Sequence, residues 1–232
     1  MAQINATLID SMGSDLSVVN AARVSFGKKS EWVTSETPTG LFTVEQGGGV
    51  TYLKISERDA KLIRYLAKHK HISPFGHAFA SFHVKAPIFV ARQLVKHKFL
   101  RWNEISRRYV DDEPEFYVPD QWRGRSADKK QGSGGVVDYE WSDWQMFGYS
   151  LDTYEDMLSS GVAPEQARMV LPQSTMTEWY WSGSLDAFAA MCRLRCASDT
   201  QYESRVVADQ ISEKMADLFP VSWDALITEN NQ

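Results

Sequence analysis

The segment 78–106, AFASFHVKAPIFVARQLVKHKFLRWNEIS, changes the spacing of its apolar side chains at Pro87. Before the proline, apolar and polar residues alternate, which predicts a strand with one buried face. After it, IFVARQLVKHKF predicts a helix, because its apolar residues recur at helical spacing. Offsets of three and four place Gln93, Lys96 and His97 on adjoining positions of that helix. The segment therefore predicts a strand followed by a helix with a polar, basic edge.

The rest of the chain predicts mainly helices. The segment 15–26 begins with Asp15 as a candidate cap, and the amphipathic segment 56–70 begins with Ser56. TMTEWYWSG, residues 175–183, is rich in strand-forming residues. We therefore expect an α+β fold in which helices pack around a modest, mainly antiparallel sheet, as a single domain over 1–232. Further helical spacing is found in 144–161, 163–172, 184–198 and 200–219.

Two segments do not fit this pattern of core elements. Residues 27–55 are rich in Gly, Ser and Thr and predict an excursion or hairpin with a break at glycines 47–49. Residues 123–138, RGRSADKKQGSGGVVD, predict a mobile surface loop. We interpret both segments as insertions into the domain.

Charge is unevenly distributed along the chain. The formal net charge is −5 and the pI is about 5.6, yet residues 92–110 carry six basic side chains and one acid, a formal +5. Such local charge favours a confined anion site and argues against a nucleic-acid partner, which needs a wide positive face. The sequence has no secretory signal pattern and no apolar run of membrane-spanning length. We therefore expect a soluble protein of the cytoplasm (host cytoplasm if viral) without membrane association.

Cysteine and histidine offer two rival chemistries. Cys192 and Cys196 lie four positions apart in a helical pattern, which favours packed, reduced thiols over a disulfide or a metal site. All five histidines fall within 69–97, so a metal-dependent hydrolase is a candidate. No HExxH motif accompanies them, and no GxGxxG or P-loop is present. We expect no bound metal.

The basic segment itself contains residues suited to a nucleotide. Arginines offer charge-assisted hydrogen bonds to phosphate, and Asn103 and Ser106 add directional polar groups. Trp102 and Tyr109 add flat surfaces on which a ring could lie. The alternative is a solvated charged face in which Glu104 pairs with a neighbouring arginine.

The same segment resembles the signature of the flavin-dependent thymidylate synthases, which reads Arg-His-Arg, seven residues, then Ser. Here Lys96-His97-Lys98 is followed by seven residues and Ser106. The resemblance covers nearly the whole chain apart from 27–55 and 123–138. It extends, in the family's order, through NAARVSF, HISPFGH, FHVKAPIFVARQ, NEISRRY, EFYVP, GVAPEQARMVLP and RLRCASDTQYE.

The resemblance implies synthesis of dTMP from dUMP, with methylenetetrahydrofolate as one-carbon donor and FAD reduced by NADPH. It also implies a homotetramer whose active sites are shared between subunits. By matching positions, the implied dUMP contacts are Gln93, Lys96, Glu104, Ser106, Arg107, Arg108, Arg168 and Arg195. The implied FAD contacts are Ser25, His71, Ser73, Lys96, His97, Lys98, Glu104 and Ser184.

Arg195 is the expected catalytic residue, because a guanidinium beside the pyrimidine stabilises the negative charge that develops on it. Ring-to-ring positioning of flavin and pyrimidine then makes a protein nucleophile unnecessary. We accordingly expect neither cysteine to attack the base. We expect Ser106 to act as a hydrogen-bonding residue.

The chain departs from the family pattern at several positions. Lys96 and Lys98 replace arginines, and a lysine lacks the planar fork that grips phosphate. Asp186 stands where the family often has an arginine at the FAD diphosphate, so the adenosine end of FAD is expected to be held differently. These departures make a catalytically impaired nucleotide-binding homologue one alternative, and the histidine cluster leaves a metal hydrolase as another. Further departures are Gly76, Ser184 and Ala190.

Overall fold

In the computed structural model of this protein, the described residues are 2–35, 42–46, 49–110, 112–127, 132–140, 142 and 144–228. The strands are β1 (Asn5–Met12), β2 (Val33–Ser35), β3 (Phe42–Gln46), β4 (Gly49–Lys54), β5 (Phe79–Pro87), β6 (Leu100–Glu104) and β7 (Met176–Ser184). The α-helices are α1 (Asp15–Arg23), α2 (Glu57–Lys68), α3 (Ile88–Leu94), α4 (Tyr149–Ser159), α5 (Pro164–Ala167), α6 (Leu185–Arg195), α7 (Tyr202–Leu218) and α8 (Pro220–Thr228). Short 3-10 turns span Val24–Phe26, Ser73–His77 and Arg168–Val170, and a π-helical turn spans Trp144–Gly148.

The main sheet has four strands in the order β1-β5-β7-β6, and every neighbouring pair is antiparallel. β5 alternates as its sequence predicts: Phe82 and Val84 are fully buried, whereas His83 between them is not. Phe82 pairs with Trp181 of β7, which is also buried. One face of the sheet therefore carries the core, and the predicted α+β class is confirmed.

Helices α6 and α7 supply the other half of this core. Phe82 meets Phe188 of α6 with ring centroids 5.3 Å apart in an edge-on arrangement that aromatic pairs favour. Ile211 and Met215 of α7 are fully buried in the same cluster. Removing these side chains from water is the main stabilising term of the fold. Among the described helices, none combines the length and apolar character needed to cross a membrane.

The segment 27–55 forms a second, three-stranded antiparallel sheet in the order β2-β4-β3. The predicted hairpin is therefore present. Gly49 is the first residue of β4, and the other two glycines of the predicted break lie outside the described residues. That this sheet is an insertion stays a prediction.

The described residues of 123–138 form no helix or named strand, and the predicted mobility of this loop stays a prediction. Arg123 and Val136 form an antiparallel bridge, and the N–H of Gly124 donates to the carbonyl of Gly135 at 2.8 Å. A Cβ on Gly132 would lie only 2.5 Å from the carbonyl oxygen of Asp199, so the backbone packs closely against the α6–α7 connection. Glycine is required there because it lacks a Cβ. The glycines thus allow packing as well as turning.

The predicted helix over residues 88–99 is too long. α3 ends at Leu94, and Phe99 has a φ of 65°, a left-handed conformation that no helix interior contains. The chain reverses there so that β6 can pair with β7. Long-range strand pairing thus overrides the local helical spacing, and Lys96 and His97 lie in the turn after α3.

Two predicted caps have different outcomes. Ser56 accepts a hydrogen bond from the N–H of Asp59 at 3.2 Å and caps α2 as predicted. At α1 the capping position belongs to Ser14, and Asp15 is the first helical residue. The buried Asp15 carboxylate instead accepts from the N–H groups of Val221 and Ser222, at 3.0 and 2.9 Å. It therefore caps the first turn of α8.

Candidate active site

One cavity brings together residues from separate parts of the chain. Glu104 ends β6, Arg107 lies in the following loop, and Arg168 begins a 3-10 turn after α5. All three line a cavity of about 200 Å³. The sheet places Glu104 there because β6 pairs with β7, opposite Trp179. Three of the residues expected to contact dUMP are thus neighbours in the fold.

The Glu104 carboxylate is held from both sides. Its Oε1 accepts from the hydroxyl of Thr177 at 2.7 Å, and its Oε2 accepts from Nε1 of Trp102 at 3.0 Å. Trp102 is in turn stacked on Trp179 at 4.3 Å between ring centroids. Because its donors are fixed, the carboxylate is preoriented as an acceptor.

The cations around this cavity are not equally available. Lys85 lies within 2.9 Å of Glu115 and 3.5 Å of Glu178, so its charge is neutralised locally. Arg107 donates from Nη1 to the carbonyl of Asp112 at 2.8 Å, and Arg168 donates from Nε to the carbonyl of Glu165 at 3.3 Å. Since both acceptors are uncharged, the two arginines keep their full charge for an anion.

Ser106 and Arg108 contact each other beside this cavity but do not line it. Nε of Arg108 donates to Oγ of Ser106 at 3.2 Å, and the guanidinium lies 4.9 Å from the centroid of the Tyr109 ring. This pair is exposed to solvent. Tyr109 therefore serves as a platform for Arg108, a contact that the sequence analysis did not predict.

A second group joins the turn after α3 to the end of α6. Nε of Arg195 donates to Nε2 of His97 at 3.0 Å. Burial, with the nearby charge of Arg195, lowers the pKa of His97 to about 4. Gln93 donates from Nε2 to Oε1 of Gln201 at 3.2 Å, while its own Oε1 is buried without a partner in the described part of the chain. Such an unused acceptor suits a ligand N–H group.

A third group contains three of the residues expected to contact FAD. Ser25, His71 and Ser73 line one cavity of about 720 Å³, bounded by α1, α2 and the turn at Ser73–His77. This volume lies within the usual range for small-molecule and cofactor sites. The structure therefore places residues that are far apart in sequence around one cavity, and their contact with FAD stays a prediction.

The same cavity contains residues that the sequence analysis missed. Arg23, Lys28 and Arg58 place three cations at its wall, and Tyr65 adds an exposed ring. These groups fit a flavin dinucleotide, whose diphosphate needs positive charge and whose rings need flat apolar contacts. Arg58 and Tyr65 lie seven positions apart on α2, and that spacing on one helical face is the signal that could have identified them.

The buried carboxylate of Asp59 holds residues at the wall of this cavity in place. Asp59, only 3% exposed, accepts from Nε and Nη2 of Arg23 at 3.0 and 2.5 Å. It also accepts from the hydroxyls of Ser30 and Ser56 at 2.8 and 2.7 Å. Because Arg23 precedes the turn that carries Ser25, this network fixes one wall of the cavity.

Other implied contacts lie outside these two cavities. Lys96 and Lys98 are exposed in the turn after α3, and Ser184 occupies the capping position of α6. Within the part of the chain described, the Oδ1 atom of Asp186 is buried without a hydrogen-bond partner. The single chain thus does not bring all the implied FAD contacts together.

The rival chemistries find little support in this arrangement. Cys192 is fully buried and donates to the carbonyl of Ala208 at 3.6 Å, and burial raises the pKa of its thiol. Such a thiol is a poor nucleophile. His83 contacts Glu178 at 3.0 Å, whereas His97 contacts Arg195. No three His, Cys, Asp or Glu side chains among the described residues converge to hold a metal ion.

Comparison with known proteins agrees with this geometry. Residues 7–221 match the family model described as thymidylate synthase complementing protein. A flavin-dependent thymidylate synthase of Thermus thermophilus is 39% identical over 223 residues, covering 94% of this chain and 73% of the relative. One from Kosmotoga olearia is 37% identical over 229 residues, covering 95% of this chain and 88% of the relative.

A solved structure is similar over almost its whole length. The UMP/dUMP methylase PolB from Streptomyces cacaoi, bound with 5-Br dUMP, gives a TM-score of 0.74 at 32% identity. The match covers 97% of this chain and 94% of that one. With the family model spanning most of the sequence, this chain belongs to the flavin-dependent thymidylate synthase family.

Proposed function

We propose that this protein converts dUMP to dTMP, taking the one-carbon unit from methylenetetrahydrofolate and using FAD that NADPH reduces. The observation that carries the proposal is the convergence of Glu104, Arg107 and Arg168 on one cavity. Nothing in local sequence requires these residues to meet. Their meeting is what a nucleotide monophosphate, with a base to orient and a phosphate to neutralise, would need.

The arginines of this site bind and orient the nucleotide. Arg107 and Arg168 suit its phosphate, since each already donates to a backbone carbonyl and has further N–H groups to offer. The neighbouring pair of Ser106 and Arg108 extends the same surface. Glu104 accepts hydrogen bonds from the substrate side in an orientation fixed by Trp102 and Thr177.

Arg195 provides the electrostatic part of catalysis. Its guanidinium stabilises the negative charge that accumulates on the pyrimidine as C5 becomes nucleophilic, before C5 attacks the one-carbon unit. His97 keeps the guanidinium aimed by accepting from its Nε, and can do so because the lowered pKa leaves the imidazole unprotonated at neutral pH. No protein nucleophile is needed, in agreement with the burial of Cys192.

The cavity around Ser25, His71 and Ser73 is where this chain would hold FAD. When bound, the flavin supplies the reducing equivalents for the methylation. Lys28 and Arg58 would neutralise its diphosphate, while Arg23 stays paired with Asp59. Seating the cofactor in a preformed cavity also excludes water from the reacting groups.

We further propose a homotetramer with shared active sites, acting in the cytoplasm. The cavity of Glu104 and the cavity of Ser25 have different lining residues within one chain, so a second subunit would supply the missing half of each site. Phe26 and Phe99 are 77% and 83% exposed, which is unusual for aromatic side chains of a single chain. Contact between subunits would cover them.

An anaerobic assay with FAD, NADPH, dUMP and methylenetetrahydrofolate tests the function. We expect the purified protein to show flavin absorbance that dUMP perturbs, and chromatography to show dTMP formation that requires all four components. Binding of dUMP without dTMP formation would identify a catalytically impaired homologue. Full synthesis without flavin, or a stable cysteine–uracil adduct, would refute the proposed chemistry.

A further inference from the structure

A third cavity, of about 830 Å³, lies between residues 117–127 with 132–133 and the beginning of α7. Part of its wall comes from residues 123–127 and 132–133, next to the bridge between Arg123 and Val136. Its volume lies within the range of small-molecule sites, and none of the roles assigned above uses it. The residues of its wall that matter here are Phe89, Tyr117, Trp122, Arg123, Arg125 and Gln201.

The wall combines aromatic and cationic side chains. The rings of Phe89 and Tyr117 lie 6.1 Å apart at an interplanar angle of 59°, and Trp122 lines the same space. Burial raises the pKa of Tyr117, so its hydroxyl remains a hydrogen-bond donor at all physiological pH values. These residues suit a ligand with an aromatic ring and a polar end.

The two arginines give the cavity its preference for an anion. The guanidinium carbon of Arg123 lies 3.7 Å from the centroid of the Tyr202 ring, which fixes the plane of the group and leaves its N–H edge available. Arg125 is exposed at the rim. The acid on this wall, Glu203, already accepts from Nε2 of Gln201 at 3.2 Å. A carboxylate ligand would therefore meet two arginines, together with one acid, Glu203, that is already hydrogen-bonded.

The cavity contacts Gln93, one of the residues that the resemblance implies for dUMP, through Gln201. Gln201 lines it and accepts from Gln93, whose own oxygen is buried and unpaired within the described residues. Ser174 also lines the cavity; it is 7% exposed, and its hydroxyl has no partner in the described part of the structure. Unused hydrogen-bonding groups at a buried wall indicate a ligand that satisfies them.

We propose that this cavity binds the p-aminobenzoylglutamate tail of the one-carbon donor. The inference rests on the proposed function, because it takes the donor from there. The tail has one aromatic ring and two carboxylates, which match the aromatic wall and the two arginines. Phosphate-binding residues for dUMP line a different cavity, and the cations expected to bind FAD line another. Of the two ligands that have no assigned cavity, the one-carbon donor and NADPH, we assign the donor because its tail joins an aromatic ring to two carboxylates.

Direct binding of p-aminobenzoyl-L-glutamate tests the inference without requiring turnover. We would titrate it by calorimetry into FAD-loaded protein saturated with dUMP. Replacing Arg125 with glutamate should raise the Kd about tenfold, since a charge-assisted hydrogen bond becomes a repulsion. The matched control is Lys214→Glu, which reverses an exposed charge on α7, away from the cavity, and should leave the Kd unchanged.

A second pair of variants tests the shape of the cavity. Gly132→Ala should weaken binding of the tail because its Cβ would meet the carbonyl of Asp199 at 2.5 Å and displace the segment. Gly135→Ala is the control, since a Cβ there meets nothing within 4 Å. Circular dichroism melts of all variants would verify that the core is folded.

The outcomes separate this inference from the proposed function. If the tail fails to bind the wild type at millimolar concentration, or if Arg125→Glu leaves its Kd unchanged, the inference is wrong even when dTMP is formed. If Arg125→Glu weakens dUMP or NADPH instead of the tail, the cavity belongs to that ligand and the inference is also wrong. If the tail binds as expected but no dTMP forms, the cavity assignment stands and the proposed function fails.

Discussion

Nε of Arg195 donates a 3.0 Å hydrogen bond to Nε2 of His97, across the junction between α6 and the turn that follows α3. The two residues are neighbours only because β6 and β7 pair and bring these segments together. For the contact to exist, Nε2 of His97 must be unprotonated. Burial, with the adjacent guanidinium, favours that neutral form and lowers the pKa of His97 from 6.5 to about 4.

This lowered pKa predicts how stability depends on pH. In the unfolded chain His97 takes up its proton near pH 6.5, whereas in the folded protein it does so near pH 4. Between these values the unfolded state binds more protons, so the free energy of unfolding should fall as the pH drops from 6.5 towards 4. Urea unfolding at pH 7, 6 and 5 measures this slope. His97→Gln should flatten it, and a variant that keeps the wild-type slope would contradict the assignment.

Arg195→Lys should lower kcat for dTMP formation about 100-fold while changing the KM for dUMP much less. The reason is that the charge developing in the transition state loses one preorganised group of hydrogen-bond donors. Steady-state kinetics at saturating flavin give both constants. Arg193→Lys is a matched control on the same helix, because Arg193 donates to the carbonyl of Leu226 in α8 at 2.9 Å. Equal losses of kcat in both variants would show that Arg195 has only a structural role.

Restoring arginine at Lys96 and Lys98 should tighten FAD binding by about tenfold, because each guanidinium adds a planar pair of donors for phosphate where lysine offers a single charge. Flavin fluorescence titration measures the Kd. Both lysines are exposed, so the double substitution should not disturb the core. An unchanged Kd would mean that these side chains do not face the diphosphate.

Asp59→Asn should destabilise the protein by about 3–5 kcal/mol, since the guanidinium of Arg23 would remain buried without its charged partner. FAD binding should weaken as well, because Arg23 and Ser25 line the same cavity. Urea unfolding and flavin titration measure the two effects. Asp10→Asn, at an exposed carboxylate that accepts from the N–H of Ser11, is the control and should change neither.

The ionisation of Asp59 sets the pH range over which its pairing with Arg23 stabilises the protein. Although burial opposes ionisation, hydrogen bonds from Ser56, Arg23 and Ser30 hold the pKa of Asp59 below 3.8. The network therefore stabilises the protein fully above that value and is lost as the pH falls through the lowered pKa.

Local pattern predicted the elements whose faces are set by burial alone. The alternation in β5 and the Ser56 cap of α2 are both present in the structure. The end of α3 was not predictable, because it depends on the pairing of β6 with β7, which is distant in sequence. The packing of 123–138 was missed for the same reason, since Gly132 requires knowledge of its contact with Asp199.

The candidate site shows the same difference between features that local sequence predicts and features that depend on distant contacts. The motif around Lys96 and Ser106 supplied candidate residues by type and order, but not which of them share a cavity. Arg58 was missed because α2 contains several other Lys and Arg residues, and Arg23 because it is a single basic residue at the end of α1. Only the approach of α1 to α2 places them around one space.

Asp15 also constrains the order in which this protein can mature. Its carboxylate is buried and capped by the N–H groups of Val221 and Ser222, which the ribosome adds long after residue 15. Until they emerge, burying that carboxylate would leave it without donors, at a cost in desolvation. The amino-terminal helix of a nascent chain therefore cannot take up its final packing early, and emergence of α8, rather than of α1, completes the wall that α1 gives to the flavin cavity.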